Sequence, residues 1–131
     1  MAFFRRQGNE QARAEGPTGL QIPEELALKG DAAFEQGNFS AAAEEFANAI
    51  DKLDTMYVDG SCTYRQPSTA DVLIFEGLTQ SIDAAREASQ PVPDGMIERS
   101  INQLHSILGL PQCQPVAELY RSAIHDLQAR S

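Results

Sequence analysis

Apolar side chains recur at helical spacing in five runs along the chain. In the first, Leu26, Gly30, Ala33 and Phe34 share a face; in the second, Ala42, Phe46, Ala49, Ile50 and Leu53 do. Steps of three, four and seven residues are the stripe of an amphipathic helix. Between these runs stands Gly37-Asn38. Glycine accepts positive φ and so ends a helix, and asparagine caps the next one. Pro23 suits a first helical turn, and Glu24 and Glu25 follow it where the helix dipole favours acids. The pattern therefore predicts helices over 23–36 and about 39–57, packed as a hairpin.

Three further helices are predicted beyond a turn at Asp59-Gly60 and a loop over 58–67. The third begins at Ser68 or Thr69. Its stripe is Val72, Phe75, Leu78, Thr79, Ile82, Ala85 and Ala88, and Gln90-Pro91-Val92-Pro93 stops it. Asp94 is expected to cap the fourth, whose apolar residues are Met96, Ile97, Ile101, Leu104, Ile107 and Leu108. Pro115 opens the fifth, with Val116, Leu119, Tyr120, Ala123, Ile124 and Leu127 inward. Residues 1–22 hold Gly8, Gly16, Pro17 and Gly19 and sustain no period, so they read as a mobile tail carrying Phe3-Phe4-Arg5-Arg6. What remains, 23–131, is expected to be one all-α domain of about five helices.

The stretch from Pro23 to Met56 resembles a tetratricopeptide repeat. Gly30, Phe34, Gly37, Phe39, Ala42, Phe46 and Ala49 stand where that family places its glycines, aromatics and alanines. Ala33 departs from a position that is commonly tyrosine, and Asp54 from one that is often proline. The resemblance implies a right-handed superhelix of antiparallel hairpins. It divides the domain into a clear repeat at 23–57, a degenerate hairpin at 68–109 and a capping helix at 114–130. Two faint echoes bear on that division. Gly77 and Leu73 match Gly30 and Leu26, whereas Val116, Tyr120 and Ala123 reproduce Ala42, Phe46 and Ala49. The second echo would make the last helix part of a repeat instead of a cap; the expected pairing is the third helix with the fourth, and the fifth as the cap.

The family implies a binding scaffold whose inner helices line a groove. On the first helix that selects Glu24, Ala27, Asp31, Phe34 and Glu35, and on the third Asp71, Ile74 and Leu78. One branch of the family grips a peptide's terminal carboxylate with a lysine and an asparagine, at the positions that are Ala27 and Asp31 here. The cation is gone and a carboxylate replaces a neutral donor, so this ligand is not expected.

Charge narrows the partner. The 131-residue chain carries net −9, and residues 23–59 hold nine acidic against two basic side chains, net −7. An acidic repeat argues against nucleic acid and anionic lipid and admits a basic or amphipathic protein segment. No apolar run exceeds four residues, Val72 to Phe75 among them, so no membrane span is expected. The N-terminus has no apolar stretch of signal-peptide length, which points to the cytoplasm. Chemistry is sparse. Cys62 and Cys113 form no metal-ligand cluster, His105 and His125 lack a neighbouring nucleophile, and no glycine-rich phosphate loop occurs. The expectation is a protein-binding adaptor that is no enzyme and uses no cofactor or metal. The alternatives are a self-associating structural subunit, such as a homodimer, and a small chaperone or inhibitor that shields one partner.

Overall fold

The computed structural model describes residues 21–58 and 69–131, and these are all-helical, with no strand. The helices are α1 (Gln21–Glu35), α2 (Phe39–Val58), α3 (Thr69–Glu87), α4 (Met96–Leu108) and α5 (Ala117–Gln128). A six-residue 3-10 helix, Pro111–Val116, leads into α5. The tail over 1–20, the loop over 59–68 and Cys62 lie outside the described residues.

Residue chemistry accounts for the ends. Gly37 sits at φ 81, and the Asn38 N–H donates to the Ala33 carbonyl at 3.0 Å, closing α1 in a Schellman turn. The same turn closes α3 without a glycine. Ser89 takes φ 58 and the Gln90 N–H donates to Ala85 O at 2.8 Å. Asn38 caps α2 as its sequence suggests, its Oδ1 accepting from the Ala41 N–H at 3.4 Å. Asp94 does not cap α4. Gly95, at φ 77, holds that position with no side-chain cap. Nor does Pro115 open an α-helix: Pro111 and Pro115 wind the approach to α5 into the 3-10 turn, which ends at Val116.

The helices form two layers. Gln90, just beyond α3, bonds the first residues of α2, so α2 and α3 run antiparallel. Asp71 meets Tyr120 and Asp83 meets Arg130, so α3 and α5 run the same way. Asp51 meets Gln103, and Asp54 meets Ser106, so α2 and α4 also share a direction. One layer thus holds α1, α3 and α5, and the other holds α2 and α4. Contacts join α1 to α3 and α3 to α5 within the first layer, α2 to α4 within the second, and α1–α2, α2–α3 and α4–α5 between layers. The helices of the expected second hairpin, α3 and α4, scarcely touch. An aromatic trio joins α3 to α2 and α5 instead. Tyr120 lies edge-on to Phe75 at 4.9 Å and to Tyr57 at 6.4 Å.

The core is continuous through all five helices and the 3-10 turn. Its centre on the α2 side is Phe46. The Cβ that any other residue would place at Gly30 or Gly77 would come closer than 3.0 Å to that ring, from opposite edges. The ring therefore rests on bare backbone of α1 on one side and of α3 on the other. Central α3 is buried on most of its circumference, with Leu73, Ile74, Leu78 and Ile82 all inaccessible.

Candidate functional site

Of the eight residues expected to bind a partner, five lie on α1 and three on α3, two helices that pack against each other. Ala27, Ile74, Leu78 and Asp71 are 0% exposed, Asp31 is 2% and Glu24 is 4%. Those six pack inside the protein and do not line an open groove. A side chain without accessible surface touches no partner in this conformation. Phe34 stays half-buried, edge-on to Phe39 at 4.9 Å, and Glu35 is exposed. The reason is the central place of α3. Enclosed by α1, α2 and α5, it turns nearly every face inward.

The open concavity lies elsewhere. A cleft of about 680 Å³ runs along α4, walled by the 92–95 segment on one side and by Gln128 and Ser131 on another. Its apolar floor is Val92, Ile97 and Ile101, and its charged rim is Arg86, Asp94 and Glu98. The helix pattern contained a signal for it. On α4 the buried stripe is Met96, Ile97, Ser100, Leu104 and Ile107. Ile101 and Leu108 are surplus to that stripe and only half-buried. A helix with more apolar width than its core contact uses has an edge to offer. Beside the cleft, across the 93–95 segment, is a recess of about 190 Å³ bounded by Glu44, Asn48, Met96 and Arg99.

Electrostatics follow the charge pattern. Glu25, Glu35, Glu44 and Asp51 are exposed on α1 and α2. At the α2–α4 seam Gln103 donates to Asp51, while Asp54 accepts from Ser106. Burial pushes the Asp54 carboxyl above its ordinary 3.8, the Ser106 bond opposes this, and the Asp51 charge adds to the rise. On the other layer Arg130 makes two bonds to Asp83, at 2.9 and 2.8 Å, tying the end of α5 to α3. That carboxylate holds the guanidinium above its usual range.

Catalytic geometry is thin. His105 and His125 are exposed in the last turns of α4 and α5. Among the described residues no cluster of His, Cys, Asp and Glu is arranged to hold a metal, and no helix is long and apolar enough to cross a membrane. Cys113 lies within the 3-10 turn and is buried in the core. No family model matches the chain, and no curated protein or solved structure matches it either.

Proposed function

We propose that the chain is a small adaptor of tetratricopeptide type, holding a segment of another protein and catalysing nothing. The observation that carries this reading is the seating of Phe46 between Gly30 and Gly77. Those residues occupy positions that the repeat resemblance reserves for close helix approach. The layering of α1, α3 and α5 against α2 and α4 alternates as the inner and outer helices of a superhelical repeat do, although α3 and α4 do not pair as a hairpin. The binding surface is the cleft along α4, since the α1–α3 seam is closed. A partner segment that fits it is amphipathic, with an apolar pair for Ile97 and Ile101. It is also basic, drawn by a chain of net −9.

The test begins with affinity capture from the native host and continues with the captured partner purified. Ile101→Lys is expected to weaken direct binding by about tenfold or more, as a disrupted apolar anchor does. Glu98→Lys is expected to weaken it less and to flatten its salt dependence. Equal affinity of all three proteins removes the cleft from the reading. A stable dimer at low micromolar concentration by light scattering, with no captured partner, replaces the adaptor with self-assembly.

A further inference from the structure

The segment between α3 and α4 is built unlike an ordinary connection. It reads Ser89-Gln90-Pro91-Val92-Pro93-Asp94-Gly95. Both its ends are left-handed, Ser89 at φ 58 and Gly95 at φ 77. Between them two prolines fix their own φ and restrict the residue before each, so the middle is stiff. A stiff piece between two conformationally unusual ends moves as a unit when it moves.

Val92 packs against the core, and the Gln90 side chain supplies the segment's long-range hydrogen bonds. Gln90 Oε1 accepts from the Phe39 N–H at 2.8 Å and the Ser40 N–H at 3.0 Å, and Gln90 Nε2 donates to Gly37 O at 2.8 Å. These three bonds cross some fifty residues of chain and land on the turn between α1 and α2. They satisfy two of the amides that a helix start leaves open. The segment held in this way is also a partition. Pro93, Asp94 and Gly95 line both the cleft and the smaller recess across from it.

We propose that residues 89–95 are a strap that swings out as a unit about Ser89 and Gly95, with the Gln90 amide as its latch. Swinging out joins the cleft and the recess into one trough along the start of α4. Release of the latch frees the Phe39 and Ser40 amides while Asn38 still caps α2, so those two amides report whether the trough is open. The inference holds whatever the cleft binds.

Amide exchange followed by NMR on the full chain tests it. Phe39 and Ser40 report the latch. Met96 reports the far end of the strap, because its N–H donates to Pro93 O at 3.2 Å and Gln90 does not reach it. Gly109, whose N–H donates to His105 O at 3.2 Å at the far end of α4, is the reference, because it opens by local fraying. In Gln90→Ala, exchange at Phe39, Ser40 and Met96 should rise together by about tenfold, with Gly109 unchanged. Gln90→Glu keeps the two acceptor bonds and should hold Met96 near its original rate. Wild-type protection of Met96 in Gln90→Ala makes Gln90 a cap and nothing more, and overturns the strap. A matching rise at Gly109 signals general loosening and also overturns it, as does Gln90→Glu behaving like Gln90→Ala.

Discussion

The two aromatic anchors of this protein are seated in opposite ways. Phe46 on α2 rests against the backbone of two helices, through Gly30 and Gly77. Tyr120 on α5 rests against other rings, Phe75 and Tyr57, and its hydroxyl donates to Asp71 at 3.5 Å. Ring against backbone brings α1, α2 and α3 close together and leaves little slack. Ring against ring gathers the end of α2 and the early turns of α3 and α5, at the opposite end of α3 from Arg86 and the cleft. The contrast locates where this fold tolerates change. At Gly30 and Gly77 an added methyl group meets a ring seated on backbone, whereas the trio is a contact between side chains alone.

The largest effect is expected where a notch is filled. Gly77→Ala places a methyl group into the Phe46 ring and should cost about 3 kcal/mol, toward the upper end for overpacking, read as a lower denaturant midpoint. Pairing it with Phe46→Leu should recover part of that loss, because the two changes compete for one space. Gly109→Ala is the control away from that ring. Its Cβ would lie 3.6 Å from Ser106 O, an ordinary contact, and Gly109 has φ −74. That change should stabilise by about 0.5 kcal/mol. Equal losses at Gly77 and Gly109 would dissolve the contrast.

The two Schellman turns offer a middle-sized test. Gly37→Ala forces a Cβ into φ 81 and should cost about 1 kcal/mol. Ser89→Gly relieves φ 58 in the equivalent turn and should add a few tenths to about 1 kcal/mol. Opposite signs in thermal melts show that the turns share a geometry and differ only in residue.

Asp54 probes the seam between α2 and α4 through pH. Its folded-state pKa lies above the ordinary 3.8, so the folded protein holds this proton more tightly than the unfolded chain. Its contribution to stability is therefore greatest below pH 3.8 and is lost as pH rises through the folded value. Asp54→Asn should be more stable than the parent at pH 7, with the advantage shrinking as pH falls toward 3.8. An advantage that is constant over that range would mean that desolvation of the charge is not the cause.

The smallest effect is expected at the outer tie of α5 to α3. Arg130→Gln removes a two-bonded, partly exposed ion pair with Asp83. The loss should be about 0.5 kcal/mol and should vanish in molar salt.

Much of this was legible in the residues. The apolar period placed five helices within a few positions of their ends, because burial of one stripe is a local property of spacing. Gly37-Asn38 announced its turn, because positive φ and side-chain capping belong to those residue types. Ser89 gave no such announcement. A serine in the left-handed region is held there by its surroundings, and the same holds for Gln90, whose three partners lie about fifty residues away.

By itself, the sequence determined the helices, the notch residues and the acidic character of the first hairpin. Each of these follows from the side chains in a short window. Only the tertiary structure decided which faces are covered. The same stripe at Ile74 and Leu78 would line a groove on an edge helix, but α3 is central and buries it. Ile101 would be core on a central helix, but α4 lies at the edge and leaves it half-buried beside the cleft, while Ile97 stays in the core. Accessibility depends on how many neighbours a helix has, and that number is settled by packing between distant segments, which no local spacing records.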